Sequence, residues 1–133
     1  MNKVKILDCT LRDGGYVNNW NFGKKTISSI INKLDCANID IIECGFLSEK
    51  NESEDYSLFN SVAQIKSLIS NKRAMYVAMI AIGEKEINPE FLDDYNGESI
   101  EGIRLTFHKH EIEKAITWAN ILKEKGVKAT FFV

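Results

Sequence analysis

The chain has 133 residues, 44% hydrophobic and 27% charged, with a net charge of −2. Those proportions fit one globular domain with one sizeable core and exclude a disordered or fibrous chain. The charge balance, with no cluster of Lys and Arg, excludes the basic footprint of a nucleic-acid binder, and no apolar run approaches the roughly 20 residues of a membrane span.

The opening MNKVKILDCT has only a short alternating apolar pattern before Asp8, which is not a signal peptide. Cys9, Cys36 and Cys44 are odd in number and irregular in spacing. That argues against a disulfide framework or a zinc ribbon and fits free thiols in a cytoplasmic protein. Val4 to Cys9 reads as a short strand ending in polar residues. Residues 24–37 carry Ile27, Ile30, Ile31 and Leu34, the stripe of an amphipathic helix. Ile39 to Phe46 reads as a second strand, rich in β-branched residues. The acidic stretch Ser48 to Asp55 reads as a loop with no apolar anchor, hence as a mobile lid. Leu58, Val62, Ile65 and Ile69 give a second helical stripe, and Arg73 to Ile82 a buried strand. Asn88-Pro89 marks the start of a short helix. Ile103 to His108 is a fourth strand. Residues 111–125 form a helix with Ile112, Ala115, Ile116, Ala119 and Leu122 on one side and Gly126 as its stop. Val127 to Val133 is a fifth strand.

The order β-α-β-α-β-α-β-α-β argues for an α/β fold with a parallel sheet and crossover helices. An open doubly wound sheet is one option. A partial (β/α)8 TIM barrel is the other, since a whole barrel needs about 250 residues. Ile41, Glu43 and Gly45 share one strand face. Arg104, Thr106 and His108 share another, opposite Ile103, Leu105 and Phe107. Polar residues on one face fit the inside of a barrel near its functional end. In an open sheet Arg104 would need a buried partner.

The strongest local signal is Leu7-Asp8-Cys9-Thr10-Leu11-Arg12-Asp13-Gly14-Gly15-Tyr16. It places two carboxylates and an arginine at the C-terminal end of the first strand, where parallel α/β folds carry their sites. Gly14-Gly15 permits a sharp turn or a close approach to a ligand. On pattern alone, an exposed charged turn with an Arg–Asp pair is the favoured reading, because charged loops are common. His108-Lys109-His110 has spacing workable for a metal, but at the end of the fourth strand it reads as a barrel-mouth residue followed by a helix start. Cys9 and Cys44 fall on outward faces, where packing under helices accounts for them.

The run Asp8-Cys9-Thr10-Leu11-Arg12-Asp13-Gly14, with Glu43 in Ile41-Ile42-Glu43-Cys44-Gly45-Phe46, resembles the metal-dependent aldolases and lyases of the 3-hydroxy-3-methylglutaryl-CoA lyase type. The continuation into Tyr16, Asn18 and Phe22 is most similar to the 4-hydroxy-2-oxovalerate aldolase branch. The resemblance covers residues 1–133 as the N-terminal portion of a barrel, about five strands and four helices. It implies Asp13 as a ligand of Mn²⁺ or Mg²⁺, Arg12 as the group that stabilises an enolate oxygen, and Glu43 beside them orienting the site. Tyr16 stands where that branch has a histidine base, and is the corresponding catalytic candidate. The family completes its metal site with a His-x-His pair on the seventh strand, so the site would be incomplete here. The implied reaction is carbon–carbon bond cleavage or formation on a 2-oxo acid such as pyruvate. The chain then reads as an enzyme fragment, inactive alone. The alternative is a non-catalytic half-barrel serving as a binding or assembly module. The open edges of a part-barrel imply a homo-oligomer, with no nucleic acid and no membrane as partners.

Overall fold

The computed structural model describes residues 3–51, 53–70 and 73–132. Its framework is a parallel sheet with strands and helices alternating along the chain. The elements are β1 (Leu7–Asp8), α1 (Thr10–Asp13), α2 (Lys24–Cys36), β2 (Ile41–Leu47), β3 (Leu58–Phe59), α3 (Val62–Lys66), β4 (Met75–Ala81), β5 (Gly102–Thr106), α4 (Ile112–Glu124) and β6 (Lys128–Phe132). The strand order is β1-β2-β4-β5-β6, every pairing is parallel, and β3 pairs with β2 off this path. β1 meets β2 at Ile41 and Ile42, and β3 meets it at Phe46 and Leu47. β3 therefore continues the edge of β2 where β1 stops.

The helices pack on one face. Ile27 and Ile31 from α2, Ile65 from α3, and Ala115, Trp118 and Leu122 from α4 form one buried cluster with Ile42, Cys44, Ala78, Ile80, Ile103 and Leu105. Full burial of an Ile or Leu side chain contributes roughly 1.5–3 kcal/mol, so this layer is the main source of stability. Phe46, Leu58, Met79 and Ala81 form a second, smaller cluster, with Trp20 and Tyr56 packed against it. Asp35, buried at the end of α2, accepts from the Ala74 backbone N–H at 2.8 Å and fixes the entry to β4.

Several expectations need correction. Strand one is regular only over Leu7 and Asp8, although Ile41 N–H still donates to Ile6 O at 3.0 Å, and Val4 and Ile6 are exposed. The stripe from Leu58 to Ile69 is a helix only over Val62–Lys66, since backbone pairing takes Leu58 into β3. Asn88 does accept from Glu90 N–H at 3.0 Å, but what it caps is a single 3-10 turn, Pro89–Phe91. On α4, Ile112 and Ile116 are exposed, and the buried stripe runs Ala115, Trp118, Leu122. Gly126 does adopt the positive φ, 72°, of a helix stop, and Val127 N–H bonds back to Leu122.

The segment Ser48 to Asp55, with Glu52 outside the described residues, is tethered rather than unanchored. Ser48 N–H donates to Phe59 O at 2.7 Å and Glu49 N–H to Glu86 O at 3.0 Å. Asp55 Oδ1 accepts from Lys24 N–H at 2.9 Å, and Glu54 pairs with Lys24 Nζ at 2.7 Å. Polar groups supply the anchor that apolar residues lack. Among the described residues no helix is long and apolar enough to cross a membrane. The final residue of the strand expected over Val127 to Val133 lies outside the described residues.

Candidate functional site

The chain leaves β1 through a tight helical turn. Asp8 starts it by accepting from the Thr10 N–H and Oγ1, both at 3.0 Å, and Cys9 O accepts from Asp13 N–H at 2.7 Å. Successive residues then point about 100° apart. Leu11 is driven fully into the core and Arg12 swings towards β2.

There it meets Glu43, whose side chain is 0% exposed. Arg12 Nε donates to Glu43 Oε1 at 2.7 Å, and Arg104 Nη1 on β5 donates to Oε2 at 2.8 Å. A buried carboxylate costs several kcal/mol in lost hydration, and two charge-assisted hydrogen bonds offset that cost. Arg12 Nη1 also donates to Asp13 Oδ1 at 3.0 Å, and the Asp13 side chain is 64% exposed. Burial works against the Arg12 charge, but the hydrogen bond to Glu43 and the carboxylates of Glu43 and Asp13 outweigh it, so its pKa lies above the ordinary guanidinium value. Arg12 Nη2 has no protein partner among the described residues.

The structure thus brings Arg12, Asp13 and Glu43 together at the C-terminal side of the sheet. A cleft of about 300 Å³ opens beside them, lined by Arg12, Asp13, Tyr16, Phe46, Thr106 and His108 among others. Tyr16 is at its rim, 62% exposed, with its ring edge-on to Trp20 at 4.8 Å. His108 lines the cleft, while His110 lies in the 3-10 turn Lys109–Glu111 that leads into α4. Their rings stack at 5.7 Å, and His108 Nε2 sits 3.6 Å from Glu84 Oε1. Among the described residues no group of three or more His, Cys, Asp or Glu side chains is placed to hold a metal ion. Asp13 is one carboxylate already engaged by Arg12, so the donors here do not make a metal site by themselves.

Cys44 points the other way, wholly buried under the helices. Burial, and then the Glu43 charge, push its thiol pKa up, which keeps it protonated and unreactive. Cys9 is half-buried.

Three contributors were not singled out as site residues from the sequence. Arg104 lies on the polar strand face in the sequence pattern, yet nothing local shows that it shares Glu43 with Arg12. Trp20 Nε1 donates to the Arg12 carbonyl at 2.7 Å. Lys85 Nζ lies 4.5 Å from the Trp20 ring centroid and 5.0 Å from that of Phe46. Gly45 did carry a readable signal, since a glycine inside a strand often marks a bulge. The β2–β4 register shifts between Glu43 and Phe46, and Gly45 has φ 148°. The shift puts Phe46 in the cleft-side cluster with Met79 instead of under the helices.

No family model matches the chain, and no curated protein matches it. Among solved structures it is similar to the crystal structure of the N-terminal domain of a "putative aldolase" from Bacteroides vulgatus, at 29% identity and a TM-score of 0.69. The match covers 96% of this chain and 44% of the other, so the chain spans less than half the length of that neighbour. The likeness supports an aldolase-like relationship.

Proposed function

We propose that this chain is the N-terminal part of a (β/α)8 barrel that binds and stabilises the enolate of a 2-oxo acid in a divalent-metal-dependent aldolase or lyase. The observation that carries the reading is the clamp on Glu43. A fully buried carboxylate within β2 holds Arg12 from one side and Arg104, within β5, from the other, with Asp13 alongside and a cleft in front. The strand order follows the chain, and the helices cover one face only. That arrangement matches an arc of barrel wall, whereas a doubly wound sheet reverses its strand order and carries helices on both faces.

Within this reading Arg12 is the fixed donor for developing negative charge. Two of its nitrogens are committed to carboxylates, which sets the plane of the guanidinium and aims what remains at the ligand. Asp13 would give one ligand to Mg²⁺ or Mn²⁺, and the other ligands would come from the remaining strands of the barrel and from the substrate. Tyr16, at the rim, is the candidate for proton transfer to or from the substrate oxygen. The test is exchange of the pyruvate methyl protons with deuterium by the complete barrel that carries this chain, followed by NMR in the presence of Mg²⁺ or Mn²⁺, the isolated chain being inactive in this reading. The expected result is exchange above the buffer rate that falls at least about 100-fold in Arg12→Lys. Exchange at the buffer rate with either metal would overturn the enzymatic reading in favour of a binding module.

A further inference from the structure

The residues after Tyr16 make a turn with two consecutive left-handed positions, Asn19 (φ 53°) and Trp20 (φ 62°). Asparagine tolerates that region, but for a side chain as bulky as tryptophan it is an outlier. The conformation persists because it is fixed from several sides. Trp20 N–H donates to Gly15 O at 2.9 Å, and Trp20 O accepts from Ser57 N–H at 2.9 Å. The indole lies so close to Gly15 that a Cβ there would stand 1.9 Å from the ring. All this delivers the indole N–H to the Arg12 carbonyl at 2.7 Å.

Lys85 covers the same ring. The backbone of Ala81 and Lys85 exchanges two hydrogen bonds, of 2.9 and 2.8 Å, in a tight turn after β4, which presents the ammonium to Trp20, Phe46 and Tyr16. Among the described residues no carboxylate lies within 4.0 Å of Lys85 Nζ, so its partners are aromatic faces and not an ion pair. Indole is the best aromatic partner for a cation. The loop after β1 and the loop after β4 are thereby joined through one ring.

We propose that Trp20, capped by Lys85, is the positioning residue for Arg12: it pins the Arg12 backbone so that the guanidinium meets both Glu43 and the ligand. This rests on the reading of Arg12 as the enolate-binding group. Misplacement of such a group by about 1 Å can cost about 100-fold in rate, which is why a residue that touches no substrate still matters. Trp20→Phe keeps an aromatic ring and removes the N–H together with the five-membered ring, so thermal stability is measured alongside. Lys85→Met keeps the stem and removes the charge, and Lys85→Arg restores a cation.

Two readouts separate this proposal from the enolate reading. The first is the Arg12 Nε–H signal in ¹⁵N NMR, assigned by its loss in Arg12→Lys. It is expected to be sharp in the wild type and broadened in Trp20→Phe and Lys85→Met, with recovery in Lys85→Arg. The second is pyruvate methyl exchange by the complete barrel that carries this chain, where kcat is expected to fall about tenfold with KM nearly unchanged. If the wild type shows no exchange, the enolate reading fails, and the NMR signal alone still decides the positioning role. An unchanged Arg12 signal in both variants overturns the proposal, as does a rate loss that merely follows the loss of thermal stability.

Discussion

The two faces of the sheet are built by alternate residues of the same strands, yet they obey different rules. On the helix-covered face Ile42, Cys44, Ala78, Ile80, Ile103 and Leu105 meet apolar helix stripes. On the other face Glu43, Arg104 and Thr106 accompany Phe46 and Met79. The first face gains stability from every residue it buries. The second contains an ion-pair network that apolar residues of similar volume would replace at little cost or with a gain. A network that the fold does not need for stability is where chemistry is to be sought.

The comparison breaks most sharply at Glu43. Glu43→Ala leaves two arginines without their shared partner, and a loss of about 3–5 kcal/mol is expected in urea unfolding. Replacing Arg12, Glu43 and Arg104 together by Met, Leu and Met should recover most of that loss. Failure to recover would show that the network is itself a source of stability. On the opposite face Leu122→Ala should cost about 2–5 kcal/mol through transfer and cavity terms, with the Arg12 environment unchanged by NMR.

Gly45 joins the two faces, because its bulge moves Phe46 from one to the other. A Cβ there would sit 2.1 Å from Ser57 O at a φ of 148°. Gly45→Ala should therefore destabilise by about 1–3 kcal/mol and detach β3, read as faster amide exchange at Phe46 and Ser48. Their N–H groups are the ones that bond to Ser57 and Phe59.

The helix-covered face also sets the response to alkali. Burial, then Glu43, raises the pKa of Cys44 from its ordinary 9.0. Burial, then the charge of Asp35 and a hydrogen bond to it, raises that of Tyr76 from 10.0. Well below pH 9.0 both groups are protonated in the folded and the unfolded chain. Above it the unfolded chain releases protons that the folded chain retains, so stability should fall as pH rises. Cys44→Ala should flatten the first part of that fall, measured by denaturant unfolding across pH 7 to 11 (about 1.4 kcal/mol per unit for one group).

The sequence exposed the helix-covered face more fully than the other. The stripe of α2 and the apolar runs of β2, β4 and β5 are local patterns, and each forms its element close to the expected bounds. Arg12, Asp13 and Glu43 are legible as a group through the family resemblance, and they meet because β1 and β2 are neighbours. What escaped depends on contacts far apart in the chain. Arg104 reaches Glu43 across 61 positions, and Lys85 finds Trp20 from the loop after another strand. β3 exists because Gly45 lets Ser57 come close, which no periodicity in Leu58 to Ile69 discloses.

Asp13 gives the most direct test, since it is exposed, sits beside the network and belongs to neither core. Asp13→Asn should change unfolding stability by no more than about 0.5 kcal/mol. In the complete barrel that carries this chain, the same substitution should abolish Mg²⁺-dependent exchange of the pyruvate methyl protons. Wild-type exchange in Asp13→Asn would contradict the account, because the site would then work without the carboxylate that is assigned to it.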